Sequence, residues 1–259
     1  MTLSFDTSRA ALVTGASRGI GRACAVALAA HGVPVAVNYR RSSAEADALV
    51  DQIVAGGGKA VALQADIADT SEAVALVERA ESELGGLGIL VNNAGITRDK
   101  LLLQMGEEDW DVIWRTDLVG PRAAARRAIR SMRDVGGGRI INISSVVGST
   151  GNAGQANYAA AKAGLAGLTR ELAVEAAPAL VSVNCVVPGY IHTDATAYLT
   201  DEQKAVWQRR IPMERVGRVE DVATLVLFLA SQEAWYISGQ CIGIDGGLLA
   251  KSGRGFASS

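Results

Sequence analysis

Short apolar runs alternate with longer stretches of helical spacing along almost the whole chain. Ala10-Ala11-Leu12-Val13 is apolar throughout and ends in Thr14-Gly15, which predicts a buried strand. Gly19 to Ala30 is alanine-rich and helical. Val35 to Val37 predicts a second strand, and Ser43 to Ala55 a helix with its acids early, where the helix dipole favours them. Ala60 to Leu63 is a third strand. Thr70 to Leu84 opens with a Thr or Ser cap and Glu72, then continues at helical spacing. Ile89 to Val91 is a fourth strand. Glu107 to Arg133 predicts one long helix, with a bend or break at its interior Pro121. Arg139 to Ile143, a long helix over Gln155–Ala176, and Val181 to Val187 follow, the last stopped by Pro188-Gly189. Helical stretches near Thr200–Arg210 and Val219–Leu229 precede a final strand over Cys241–Ile244.

Strands separated by helices pair in parallel through right-handed crossovers. The expected fold is α/β: a Rossmann-type, doubly wound parallel sheet with helices on both faces, which binds ligands at the carboxyl ends of its strands. A length of 259 residues suits a single dinucleotide-binding catalytic domain over 1–259, with a small, polar and mobile tail over Lys251–Ser259. No internal repeat interrupts the pattern.

Composition narrows the function classes. Hydrophobic residues make up 49% of the chain and charged residues 20%, enough for a sizeable core. The net charge of -2 argues against nucleic acid or an anionic membrane as partner. Cys24, Cys185 and Cys241 are widely spaced in apolar stretches and are read as buried, reduced residues rather than a disulfide or zinc framework. His31 and His192, the only histidines, exclude a histidine-rich metal site; His31, before Gly32 at a helix end, is read as structural. The first residues lack a signal-peptide pattern and no uncharged run is long enough to span a bilayer, so the expected location is the cytoplasm.

Thr14-Gly15-Ala16-Ser17-Arg18-Gly19-Ile20-Gly21 joins the first strand to the first helix. Glycines there let the backbone turn tightly beside a pyrophosphate, and the helix start offers free N–H groups. The Gly-x-x-x-Gly-x-Gly spacing matches neither Gly-x-Gly-x-x-Gly nor a P-loop, so a plain strand-to-helix turn is the bland alternative. The second strand ends in Val37-Asn38-Tyr39-Arg40-Arg41, with no acid for a ribose 2′-hydroxyl. Arg40 or Arg41, with Arg18, suits a 2′-phosphate instead, and NADP(H) is the expected cofactor. Solvated surface arginines are the alternative. Asp66, followed by Ile67 after the third strand, is placed to accept from an adenine amino group.

Tyr158 and Lys162 lie four residues apart in a predicted helix and share a face. A free phenol, with a pKa of about 10, is a poor base; a neighbouring ammonium favours the phenolate. Tyr158 then serves as acid/base toward a carbonyl or alcohol oxygen, with Ser145, after the fifth strand, as a second hydrogen-bonding group.

With these motifs the chain resembles the short-chain dehydrogenase/reductases. Thr14-Gly15-x-x-x-Gly19-Ile20-Gly21 resembles the family's cofactor loop and Asn92-Asn93-Ala94-Gly95 its sheet-stabilising motif. Ser145, Tyr158 and Lys162 match its catalytic residues, and Pro188, Gly189, Ile191 and Thr193 the segment over the nicotinamide. Asn93 to Asp99 and Gly151 to Lys162 look most like 3-oxoacyl-(acyl-carrier-protein) reductases. The resemblance implies NADPH-dependent ketone reduction on a 3-oxoacyl thioester, with Lys162 binding the nicotinamide ribose and depressing the tyrosine pKa. It also implies cofactor contacts from Gly15, Ser17, Arg18, Gly19, Ile20, Gly21, Ile67, Asn93, Ala94 and Gly95.

Two departures stand out. The family's fourth catalytic residue is an asparagine whose carbonyl holds a water; Arg115-Thr116-Asp117-Leu118 puts Asp117 there. Its charge either pairs with Lys162 or strains the helix, or the change is simply tolerated. Relatives that use a carrier protein often have arginines before the fifth and sixth strands, where this chain has Gly136-Gly137-Gly138 and Ala176-Ala177-Pro178-Ala179. Arg126, Arg127, Arg130 and Arg133 either compensate or form a solvated helix face. The alternatives left open are a reductase of another ketone, sugar or alcohol, and a weakly active NADP-binding regulator. The apolar faces of the two long helices, which the family commonly pairs between subunits, imply a homotetramer.

Overall fold

The first strand shows how the core is divided. In β1 (Ala10–Val13), Ala11 and Val13 face one hydrophobic layer while Ala10 and Leu12 face the other, the period of a strand buried on both sides. The structure is a computed structural model describing residues 2–193 and 200–250, apart from the side chains of residues 201, 203 and 204. The polar tail from Lys251 and residues 194–199 lie outside the described residues.

Seven parallel strands form one sheet in the order β3-β2-β1-β4-β5-β6-β7. The others are β2 (Val35–Tyr39), β3 (Ala60–Gln64), β4 (Leu87–Asn92), β5 (Gly138–Ile143), β6 (Val181–Pro188) and β7 (Cys241–Ile244). On one face lie α1 (Gly19–Ala29), α2 (Ser43–Ala55) and α9 (Val219–Ala230), their apolar sides closing over Val13, Val37 and Ile141. On the other lie α3 (Thr70–Leu84), α5 (Gly120–Asp134) and α7 (Ala156–Glu175), packed on Leu12, Leu90 and Ile140. Each fully buried large aliphatic side chain contributes roughly 1.5–3 kcal/mol. The single-sheet, doubly wound architecture expected from the alternation is the one observed. The helix α8 (Asp201–Arg210) stands apart, its Trp207 stacked on Tyr190 with ring centroids 5.2 Å apart.

The chain order reverses on either side of β1 and β4, and that crevice is where such sheets hold ligands. Its walls are stitched by buried polar groups. Asn92 Nδ2 donates to Asn142 Oδ1 at 2.9 Å, and Asn142 Nδ2 to Thr169 Oγ1 at 2.9 Å, tying β4, β5 and α7 together.

The expected single helix over Glu107–Arg133 is not continuous. The α4 helix (Glu107–Trp114) runs into a π-helical turn at Arg115–Val119 before α5 begins at Gly120. The Gly120 N–H bonds the carbonyl of Arg115, five residues back. Pro121 explains the disruption without marking its position: it has no N–H for the Asp117 carbonyl, and its ring would crowd that carbonyl in a regular helix. The break therefore falls in the turn preceding the proline. A short α6 (Val147–Thr150), missed by the periodicity, follows β5. Among the described residues no helix is long and apolar enough to cross a membrane. Cys24 and Cys185 are buried, Cys241 is half-buried, and all three are free thiols.

Candidate active site

The loop after β1 is shaped by what its glycines must avoid. Gly15 and Gly19 adopt φ +61° and +57°, conformations that side chains disfavour. A Cβ on Gly21 would lie 2.4 Å from Asn93 Nδ2 and 2.6 Å from the Gly15 carbonyl, so only glycine lets α1 approach β4 this closely. Thr14 Oγ1 accepts the N–H groups of Asn93 and Ala94 at 2.9 and 3.0 Å, and Asn93 Nδ2 donates to the Thr14 carbonyl at 2.9 Å. Asn38, buried at the end of β2, accepts the Gly15 N–H through Oδ1 at 3.1 Å and donates to the Leu63 and Ala65 carbonyls. Sequence reasoning passed over Asn38. Its signal was a lone amide at the end of an apolar strand, a position that needs hydrogen-bond partners.

The loop opens on a cleft of about 860 Å³ along the carboxyl ends of the strands, a size suited to a cofactor with a small substrate. At one end it is lined by Ser17, Arg18, Gly19, Ile20, Arg40, Arg41, Asp66 and Ile67. At the other it is lined by Asn93, Ala94, Gly95, Ser145, Tyr158, Lys162, Pro188, Gly189, Ile191 and Thr193. Gly21 and Asp117 do not line it; Gly21 packs beneath the loop, and Asp117 lies behind Lys162. Ile96, Thr97, Thr116, Ser144 and Tyr190 line it as well, none of them expected as a site residue.

The donor set fits a nucleotide. The loop turns through its left-handed glycines onto the start of α1, whose free N–H groups and dipole favour a pyrophosphate. Arg18, Arg40 and Arg41 are exposed at the same end, and Arg40 Nη1 stands 3.6 Å from Asp66 Oδ2. The opposite wall is fixed by pairing: the Val146 N–H bonds the Pro188 carbonyl at 3.0 Å, and the Gly189 N–H bonds Ile244 at 3.1 Å. A Cβ on Gly189 would lie 2.7 Å from Asp245, so that turn too requires glycine.

At the deep end Lys162 is 3% exposed and Asp117 wholly buried. Lys162 Nζ donates to the Ile143 carbonyl at 3.0 Å and stands 3.1 Å from Asp117 Oδ2. Asp117 Oδ1 accepts the Ile96 N–H at 3.1 Å. The Tyr158 ring centroid is 5.5 Å from Lys162 Nζ, and the Ser145 hydroxyl is among the groups that favour ionisation of the phenol. Asp117 thus stands paired with Lys162, one of the outcomes left open for it.

The electrostatics depart from the expectation of a depressed phenol. Burial pushes Tyr158 above the ordinary tyrosine value; Lys162 pulls it down, Asp117 adds to the rise, and the net shift is upward. Burial likewise raises the Asp117 carboxyl, opposed by Lys162. For Lys162, burial works against the charge, but the Asp117 carboxylate and Tyr158 outweigh it and hold the ammonium above its ordinary value.

Comparison with known proteins places this arrangement. A family model described as enoyl-(acyl carrier protein) reductase matches residues 15–249. The chain belongs to the short-chain dehydrogenase/reductase family. It is 48% identical over 241 residues to the 3-oxoacyl-(acyl-carrier-protein) reductase of Staphylococcus aureus, covering 93% of this chain and 98% of that protein. The Escherichia coli K12 enzyme of the same name is 45% identical over 246 residues, covering 95% and 99%. A crystal structure from Sinorhizobium meliloti 1021, provisionally described as a short-chain alcohol dehydrogenase, superposes with a TM-score of 0.92 at 40% identity, covering 97% of this chain and all of that one. The protein is thus an oxidoreductase of CH–OH and C=O groups that works with a nicotinamide cofactor.

Proposed function

We propose that the protein reduces a 3-oxoacyl thioester to the 3-hydroxyacyl thioester with NADPH, using Tyr158 as the general acid. The observation that carries this reading is the convergence of Ser145, Tyr158 and Lys162 at the end of a nucleotide-sized cleft, in a chain nearly half identical to 3-oxoacyl-(acyl-carrier-protein) reductases. A bound reduced nicotinamide supplies the hydride. As negative charge develops on the substrate oxygen, the Ser145 and Tyr158 hydroxyls donate to it, and Tyr158 delivers its proton. Lys162 stabilises the resulting phenolate. Arg18, Arg40 and Arg41 favour NADP over NAD by meeting the 2′-phosphate, with Arg40 exchanging its distant Asp66 partner.

Exposed Leu101, Leu102, Leu103 and Trp114, together with Trp235 and Tyr236, give apolar surface that supports a homotetramer. A cytoplasmic enzyme agrees with three free thiols. The test is NADPH oxidation, followed by absorbance, against a 3-oxoacyl thioester on carrier protein, the same acyl group on coenzyme A, a simple ketoester and an enoyl thioester. Turnover of the 3-oxoacyl thioesters above the others is expected; turnover of the enoyl thioester alone would overturn the reading.

One observation favours a second reading, a reductase of ketones free of any carrier. A Cβ on Gly137 would lie 2.4 Å from the Leu180 carbonyl, so the turn before β5 has no room for a side chain there. Arg127 is engaged by Glu78 and Glu81 at 3.0 and 2.8 Å, and Arg133 lies 3.4 Å from Asp134. Arg126 and Arg130 remain as exposed cations on that helix. Turnover of the ketoester above both thioesters would favour this second reading.

A further inference from the structure

We propose that Asp117 is a positioning residue that takes the Lys162 ammonium as its standing partner and so keeps Tyr158 a proton donor, poising the site kinetically for carbonyl reduction over alcohol oxidation near neutral pH. The proposal rests on the reading of Tyr158 as the acid/base group.

The pair is built into the site. Asp117 projects from the π-helical turn and is anchored through Oδ1 to the Ile96 N–H at 3.1 Å, which leaves Oδ2 facing Lys162 Nζ at 3.1 Å. Gly95 makes room for it: a Cβ there would lie 2.8 Å from Asp117 Oδ2 and 3.2 Å from Lys162 Nζ. Lys162 is thus held between that carboxylate and the Ile143 carbonyl, with Tyr158 as its third neighbour. An asparagine at the same place would carry no net charge, and the field of the ammonium would fall undivided on the phenol. In surroundings this buried the difference is weakly screened.

The groups acting on the phenol come from several elements. Lys162 on α7 favours its ionisation, as does the Ser145 hydroxyl beyond β5. Asp117 in the π-turn and Asp99 in the loop after β4 oppose it. Cys185 on β6 also acts on Lys162, in the sense that favours its charged form. The sign follows directly. Reduction needs the phenol and fails as pH rises through its pKa; oxidation needs the phenolate and is gained over the same range. A carboxylate beside the lysine moves both limbs to higher pH.

The test uses the nucleotide-free full-length protein. Tyrosinate absorbance is titrated in the wild type and in Tyr158→Phe, whose difference isolates one of the five tyrosines. The same pair of measurements is made in the Asp117→Asn and Asp117→Ala backgrounds, with circular dichroism to confirm folding. Tyr158 is expected to ionise above the ordinary value of about 10 in the wild type and at lower pH in both variants. The oxidation rate at neutral pH should rise correspondingly, about tenfold for each unit of displacement. An unmoved phenol in a folded variant overturns the proposal. So does a wild-type Tyr158 that ionises below about 10, a result that decides the matter even if neither variant folds. The titration needs no substrate, so failure of the thioester assay and failure of this proposal are separate results.

Discussion

Two carboxylate–cation pairs in this protein have opposite settings. Lys162–Asp117 is separated by 3.1 Å with both side chains almost wholly buried, whereas Arg215–Asp221 is closer, at 2.7 Å, with side chains 51% and 30% exposed. Distance alone would rank the second as stronger. Burial reverses the order, because removing either member of the first pair strands a charge where water cannot reach it. The exposed pair, screened by solvent, mostly fixes local geometry: Asp221 also accepts the Arg218 N–H at 2.8 Å and so closes the start of α9. The buried pair lies against the reacting groups, where a charge alters chemistry as well as stability.

The largest expected effect probes what the buried pair serves. Tyr158→Phe should lower turnover by about 10²–10⁴-fold while leaving NADPH binding nearly intact, since the ring and its packing survive. Lys162→Ala should reduce both turnover and cofactor affinity. Steady-state kinetics beside a fluorescence titration of NADPH separate the two outcomes, and near-full activity in Tyr158→Phe would remove the mechanism.

Next in size is stability. Asp117→Ala leaves Lys162 buried without its counter-ion and should cost about 3–5 kcal/mol in denaturant unfolding. A loss below about 1 kcal/mol would mean that the lysine finds water or another acceptor, and the contrast between the two pairs would collapse.

A third effect concerns the far end of the cleft. Charge-assisted bonds to a phosphate are worth about 1.5–3 kcal/mol, so Arg40→Ala should weaken NADPH binding about tenfold or more and leave NADH binding nearly unchanged. Parallel dissociation constants for the two nucleotides check this, and an equal loss for both would reassign Arg40 to the general surface.

How far these features could be read from the chain differs by kind. The sheet was legible because strands buried on both faces are short, dominantly apolar runs: Ala10–Val13 is apolar throughout, and Val181–Val187 is interrupted only by Ser182 and Asn184. The cleft-lining residues were legible where a motif has fixed spacing, as at Tyr158 and Lys162. The π-helical turn was not, because Pro121 announces a disruption without saying in which residues it is absorbed. Asn38 was missed because its partners come from a different strand and from the glycine loop, positions that are neighbours only after folding. The net rise at Tyr158 was not legible for a related reason. The Tyr158–Lys162 spacing shows the ammonium, but neither the depth of burial nor the approach of Asp117 from another helix.

The smallest expected effect belongs to the exposed pair and can be split in two. Arg215 and the Arg218 N–H hold the Asp221 carboxyl at about 2, below its ordinary value. A carboxyl depressed in the folded state adds stability that is fully present above its unfolded pKa of 3.8 and is lost as pH falls through about 2. Asp221→Asn keeps an oxygen for the Arg218 N–H but removes the charge, so its melting temperature should lie slightly below the wild type at pH 7, with a shallower loss between pH 4 and 2 as the two converge. Asp221→Ala removes the cap as well, and should melt lower at every pH because α9 then starts with an unsatisfied N–H. Thermal melts of the three proteins across that range test the division. Should Asp221→Asn prove as damaging at pH 7 as Asp117→Ala, solvent screening would not be what separates the two pairs, and burial would lose its place as the deciding quantity.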